Sequence, residues 1–95
     1  MEMIDLKNLT IDFIRDKRDH HECFAVHNPG GDLFQHPIGV NDIPMNSLMI
    51  DMQSANVIVL IYDALKPDNK ALFNSVLQDE YKFASFLDKM WKFVA

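Results

Sequence analysis

The most regular hydrophobic pattern lies in the last third of the chain. Between residues 68 and 94, apolar side chains recur at spacings of three and four, which is typical of one face of an α-helix. They are Leu72, Phe73, Val76, Leu77, Phe83, Ala84, Leu87, Met90, Trp91 and Val94. Pro67 ends the preceding element, and Asp68 or Asn69 can cap the new one. The pattern predicts helix over residues 68–94, with a possible break into two shorter helices near Asp79.

Residues 44–65 carry a second apolar pattern, which fits two structures. A helix of about 20 residues would place these side chains on one face: Met45, Leu48, Met49, Met52, Ala55, Val59 and Tyr62. Pro44 suits the first turn of such a helix. Two strands, Leu48–Met52 and Val57–Tyr62, are the alternative, because the run Val57-Ile58-Val59 is β-branched. We predict the long helix.

Residues 3–18 also fit either a helix or a strand. The positions at helical spacing are Met3, Leu6, Thr10, Phe13 and Lys17, and Asp5 could cap that helix. However, the apolar residues at positions 9, 11 and 13 alternate with polar ones, as in a half-buried strand. We predict an N-terminal helix here.

The strongest turn signal is Asn28-Pro29-Gly30-Gly31-Asp32. Proline presets φ for the first central position of a turn, and glycine supplies the positive φ that a type II turn requires next. The turn predicts a short hairpin that pairs Cys23–His27 with Leu33–His36. Pro37 would then stop the pairing.

Together these elements predict one helix-rich α+β domain over residues 1–95: an N-terminal helix, a hairpin around Pro29–Gly31, and two long C-terminal helices. The alternative is an α+β domain whose larger antiparallel sheet includes residues 3–18 and 44–65. The chain has 95 residues, of which 48% are apolar, and this suits a single small core.

Charge and cysteine content exclude several classes of protein. The net charge of −5 provides no field that would attract phosphates, so we expect no nucleic-acid partner. The longest apolar run, Val57–Tyr62, is too short to span a membrane. Cys23 is the only cysteine, so the chain forms no internal disulfide and a reducing, cytoplasmic location is expected.

Histidine and cysteine side chains cluster in one stretch of the sequence. His20, Cys23, His27 and His36 could supply a tetrahedral zinc site. The paired Cys-x-x-Cys or His-x-x-x-His spacing of small zinc domains is not found here, so we predict no metal and keep this set as an alternative. A nucleophilic Cys23 would need a base and oxyanion donors, which the sequence does not place.

The C-terminal segment has more aromatic residues than one helix–helix contact needs. Phe86 and Phe93 are seven residues apart and lie beside the helical stripe, close to Lys82 and Lys89. With Tyr81 added, the apolar arc is wide enough to face a second chain, and aromatic side chains are enriched in interface cores. We predict these five residues to bind a partner protein.

No phosphate-binding loop and no hydrolase or metalloprotease motif occurs in the chain. The sequence therefore favours a non-enzymatic interaction protein, an adaptor or inhibitor without a cofactor. Its acidity would steer it towards a basic partner. The alternatives are a small metal-binding protein and a structural subunit of a homo-oligomer, such as a homodimer.

Overall fold

The computed structural model describes residues 2–28, 30–31 and 47–93. In chain order, the elements are strand β1 (Glu2–Asp5), a 3₁₀ turn (Leu6–Asn8), helix α1 (Ile11–Asp19), strand β2 (Phe24–His27), strand β3 (Ser47–Ile50), helix α2 (Met52–Asp63), helix α3 (Pro67–Leu77), helix α4 (Glu80–Met90) and a 3₁₀ turn (Trp91–Phe93). The predicted helix-rich α+β class is confirmed.

The three strands form one mixed sheet in the order β1-β2-β3. β1 runs parallel to β2, with Ile4 beside Val26. β3 runs antiparallel to β2, with Leu48 on the other side of Val26. The parallel pair requires a crossover connection, and α1 lies in that connection.

The N-terminal helix is shorter than predicted. It begins at Ile11, because Thr10 is its N-cap: the Thr10 hydroxyl accepts a hydrogen bond from the Phe13 N–H at 3.2 Å. The predicted helical face that started at Met3 is wrong, since residues 2–5 pair with β2 instead.

The long helix predicted over residues 44–65 is also wrong in its first part. Residues 47–50 form strand β3, and α2 begins only after Asp51. The Asp51 carboxylate caps α2 by accepting a hydrogen bond from the Ser54 N–H at 2.7 Å. The alternative prediction of a strand at residues 48–52 was close to β3, but its second strand, at 57–62, is helical. The predicted larger antiparallel sheet is instead a mixed sheet of three short strands.

The C-terminal segment forms two helices, α3 and α4, with the break near Asp79 that the sequence allowed. Asp79 is the N-cap of α4, and its carboxylate accepts a hydrogen bond from the Lys82 N–H at 2.9 Å. In place of two long C-terminal helices, the chain therefore has three helices of 11 or 12 residues after β3.

One hydrophobic core joins the sheet and the helices. Its fully buried side chains include Phe24 from β2, Ile58 from α2, Leu77 from α3 and Phe83 from α4. α1 packs against α2, and α3 against α4. Within the described ranges, no helix combines the length and the apolar character needed to cross a membrane.

The predicted turn is confirmed at its glycines. Gly30 has φ of +77°, and the Gly31 N–H donates a hydrogen bond to the Asn28 carbonyl at 2.9 Å. β2 covers most of the first predicted hairpin strand. The predicted pairing of residues 23–27 with residues 33–36 is wrong, because both edges of β2 are paired with β1 and β3. The second predicted strand, Leu33–His36, lies outside the described residues.

Candidate functional site

The largest depression described in the structure is an apolar groove of about 680 Å³ between the end of α2, helix α3 and helix α4. Its lining residues are Ile61, Leu65, Asn69, Leu72, Phe73, Val76, Tyr81, Lys82, Ser85, Phe86 and Lys89. We call it the α3–α4 groove. Most of its exposed lining consists of carbon atoms, as is typical of sites that bind apolar groups.

Helical spacing explains how two short segments build both walls. The α3 wall uses positions 69, 72, 73 and 76, and the α4 wall uses positions 81, 82, 85, 86 and 89. Residues three, four and seven apart share one face of a helix. The short connection at residues 78–79 then brings the two faces to opposite sides of the groove.

Three aromatic rings pack in a row, and two of them, Phe73 and Phe86, line the groove. The rings of Phe73 and Phe86 meet edge to face, with centroids 5.5 Å apart and planes at 90°. Tyr62 packs on the other side of Phe73, at 5.2 Å. Such pairs contribute about 0.5–1.5 kcal/mol beyond the area they bury. Phe86 is therefore half-buried against Phe73 and is not the freely exposed ring that the sequence suggested.

The rim of the groove exposes two large apolar side chains. Leu72 on α3 and Tyr81 on α4 each keep 63% of their surface accessible to solvent. Phe83, on the opposite face of α4, is fully buried in the core. α4 thus completes the domain core with one face and borders the groove with the other.

The charges around the groove differ from those of the whole chain. Two lysines, Lys82 and Lys89, belong to its lining, and no carboxylate does among the described residues. Residues 66–93 contain five lysines and four acidic residues, whereas residues 1–65 contain four basic and ten acidic residues. The acidity therefore lies in the first two-thirds of the sequence, and the groove itself is basic at its edge.

Two of those four acidic side chains are engaged away from the groove. Asp79 caps α4. The Glu80 carboxylate lies beside Gly31, where its Oε1 is 2.8 Å from the point that a Cβ would occupy. Neither carboxylate belongs to the described lining of the groove.

The structure brings four of the five predicted partner-binding residues to this groove: Tyr81, Lys82, Phe86 and Lys89. The side chain of the fifth, Phe93, lies outside the described residues. The α3 wall was not predicted from the sequence, because Leu72 and Val76 follow the same periodicity as the core residues Phe73 and Leu77. Only the position of α4 separates the groove side of α3 from its buried side.

Two smaller depressions have mixed linings. One, of about 520 Å³, is lined by Arg18, Asp19, His21, Met52 and Asn56. Within it, the Arg18 guanidinium forms an ion pair with Asp19 at 2.9 Å. The other, of about 230 Å³, lies at the ends of β1 and β2 and includes Asp5, Lys7 and His27. Because each lining contains both signs of charge, neither selects a charged ligand as clearly as the α3–α4 groove does.

The candidate metal ligands lie at separate places in the fold. His20 is the C-cap of α1, and its Nδ1 is 2.8 Å from the Asp16 carbonyl oxygen. This hydrogen bond, together with the nearby Asp16 carboxylate, raises the pKa of His20. Cys23 is an exposed free thiol. His27 is half-buried in β2, and its Nδ1 lies 3.9 Å from the Asp5 carboxylate.

Among the described residues, no three His, Cys, Asp or Glu side chains are grouped so that they could hold a metal ion. His36, the fourth candidate ligand, lies outside the described residues.

No family model matches this chain, and no curated protein or solved structure matches it either. Any proposal for the function of this protein therefore depends on the chemistry of the α3–α4 groove.

Proposed function

We propose that this protein is a non-catalytic interaction protein, an adaptor or inhibitor, that binds a partner protein in the α3–α4 groove. The observation that carries the proposal is the exposure of Leu72 and Tyr81 on opposite walls of an apolar groove. Burial of a large apolar side chain contributes about 1.5–3 kcal/mol. A partner that covers both side chains would obtain a substantial part of its binding free energy from their burial.

The shape and chemistry of the groove support this proposal. An apolar groove between two helices can accept the apolar face of a third helix. The side chains that enter the groove are then spaced at i, i+3, i+4 and i+7 along that third helix. The edge-to-face pair of Phe73 and Phe86 gives the groove a packed aromatic lining. Tyr81 adds an exposed tyrosine at the rim, and tyrosine is enriched among the residues that dominate interface energies.

The proposed setting is a reducing one, the cytoplasm. The exposed free thiol of Cys23 would be open to oxidation in a secretory compartment.

We propose no cofactor, because the lining of the α3–α4 groove offers ammonium, amide and hydroxyl groups around a mainly apolar surface.

The test compares two surface substitutions of the same kind. Leu72→Glu with Tyr81→Glu places charge in the groove, whereas Leu60→Glu does so at another exposed leucine, on α2, which is 50% accessible. Phe86→Glu is unsuitable, because Phe86 packs against Phe73 and its loss would perturb folding. Circular dichroism first establishes that each variant is folded.

Each folded protein is then used to capture partners from native lysate, and its mass is measured by light scattering. We expect one protein to be retained by the wild type and by Leu60→Glu and lost with the groove variant, and to rebind after purification. A mass that falls only in the groove variant would identify the partner as a second copy. Unchanged capture and unchanged mass in the groove variant would refute the proposal.

A further inference from the structure

We infer that the groove accepts an acidic amphipathic helix of a partner protein, with its apolar face in the trough and its carboxylates towards α4. This inference rests on the proposed function and specifies the chemistry of the partner. It reverses the expectation from net charge, by which an acidic chain would attract a basic partner.

The first argument is the position of the two lysines. Lys82 and Lys89 are seven residues apart on α4, so they lie on one side of the helix about 10.5 Å apart along its axis. Both are exposed and both line the groove. Two carboxylates seven residues apart on a docked helix have the same spacing and can pair with both ammonium groups at once.

The second argument is the asymmetry between the two walls. Leu72, Phe73 and Val76 on α3 leave only Asn69 as a polar lining group on that side. α4 carries the charge, through Lys82 and Lys89. A helix seated between them would thus meet carbon atoms on one flank and ammonium groups on the other, which favours an acidic edge next to an apolar face.

A third observation concerns competing anions. Nucleic acid also pairs with lysines, but the chain as a whole carries −5 and would repel a long polyanion. A short acidic helix brings few charges and buries apolar side chains as well, so it uses both properties of the groove. Electrostatic complementarity of this kind sets specificity and orientation.

The experiment uses three synthetic helical peptides that share one apolar face and differ only at two flanking positions, seven residues apart. These positions carry Glu, Gln or Lys. Fluorescence anisotropy of the labelled peptides against the full chain gives the three dissociation constants at low and high salt. An oligonucleotide of thymidines serves as a phosphate-bearing probe.

We expect the Glu peptide to bind on the order of tenfold more tightly than the Lys peptide at low salt, with the Gln peptide between them. The difference should shrink as salt screens the exposed pairs. Lys82→Gln with Lys89→Gln should abolish the preference, and Lys82→Glu with Lys89→Glu should invert it. Lys7→Glu changes the net charge by the same amount as the double Gln variant, at an exposed site outside the groove, and should leave the preference intact.

The outcomes separate this inference from the proposed function. Equal binding of the three peptides, lost in Leu72→Glu with Tyr81→Glu, would overturn the acidic-helix inference and leave the groove as a binding site. Failure of all three peptides to bind, or tighter binding of the oligonucleotide than of the Glu peptide, would also overturn it. The proposed function itself is judged by the capture experiment with the groove variant.

Discussion

Arg15 on α1 donates hydrogen bonds to both carboxylate oxygens of Asp63 at the end of α2, from Nη2 to Oδ1 at 2.6 Å and from Nη1 to Oδ2 at 3.3 Å. The guanidinium carbon also lies 6.0 Å from the centre of the Tyr62 ring. A bidentate ion pair of this kind has a defined geometry. It joins α1 to α2, and both helices also contribute side chains to the hydrophobic core. Hydrogen bonding to Arg15 lowers the pKa of Asp63.

This pair predicts a specific pH dependence. Because the pKa of Asp63 is lower in the folded than in the unfolded chain, its contribution is present above the unfolded value of about 3.9. It is lost as the pH falls through the folded value. Asp63→Asn should therefore be less stable than the wild type at neutral pH, and the difference should shrink below about pH 4.

Urea unfolding between neutral and acidic pH measures this difference. Asp88→Asn, at an exposed position of α4, is the matched control and should follow the wild type. A difference between wild type and Asp63→Asn that is the same at all pH values would contradict the assignment.

Lys17 is an ion-paired lysine that is almost completely buried, with only 8% of its side chain exposed. Its ammonium pairs with Glu2 on β1 and with Glu22 after α1, the latter at 3.0 Å, and these two carboxylates raise its pKa. Its nitrogen lies 5.4 Å from the centre of the Phe13 ring, within the range of a cation–π contact.

We expect Lys17→Ala to lower the melting temperature more than Glu22→Gln does. The first substitution removes the stem and both ion pairs, whereas the second removes one pair. Lys7→Ala, at an exposed position, is the control and should have little effect. Equal melting temperatures for Lys17→Ala and Lys7→Ala would show that the Lys17 cluster contributes nothing to stability.

The two faces of α4 predict unequal effects of truncation. Phe83 is fully buried, whereas Leu87 is half-buried at the edge of the core. Phe83→Ala should cost about 3–5 kcal/mol of unfolding free energy, and Leu87→Ala should cost clearly less. Denaturant unfolding measures both. A larger loss with Leu87→Ala would mean that α4 is rotated from its described position.

Substitutions at Gly30 test the energetic cost of its backbone conformation alone, because an added Cβ would meet no neighbouring atoms. Its φ is +77°, and nothing lies within 4 Å of the place where a Cβ would stand. Gly30→Ala should therefore destabilise by about 1–2 kcal/mol through the backbone alone, and Gly30→Asn should cost less because asparagine tolerates this conformation. Thermal unfolding of both variants decides, and equal stability of Ala and Asn would contradict a left-handed Gly30.

The histidines predict the response to metal removal. Because the His20 Nδ1 already binds the Asp16 carbonyl and His20, Cys23 and His27 form no described metal-binding group, we expect elemental analysis to find well under one zinc per chain. EDTA should leave the melting temperature unchanged, whereas loss of a structural zinc would unfold so small a domain. Stoichiometric zinc would instead favour the alternative of a metal-binding protein that uses His36 as well.

Periodicity was sufficient for much of the helical structure, but the predicted caps were wrong. α3 begins at Pro67 with Lys66 as its N-cap, so Asp68 and Asn69 lie in its first turn, and Asp5 belongs to β1. The three- and four-residue spacing after Pro67 predicted helix over residues 68–94 and left open the break near Asp79 that separates α3 from α4. Asp79 acts as a cap because its side chain competes with the backbone for hydrogen bonds within one turn. The positive φ of Gly30 followed from the turn sequence around it. Turn residues act on neighbours only a few residues away, so they can be recognised in the sequence.

The strands and the groove depended on distant partners. The apolar residues in segments 2–5 and 47–50 also occur commonly in helices, so the composition of these segments does not identify them as strands. They are strands because they pair with β2. Likewise, Val76 and Leu77 are adjacent in sequence, yet Val76 lines the groove and Leu77 is fully buried in the core. The sequence by itself determined the helical periodicity after Pro67 and the turn at Gly30, because those patterns depend on neighbours only a few residues apart. The tertiary structure decided the sheet and the α3–α4 groove, because strand pairing and helix packing depend on contacts between residues far apart in the chain.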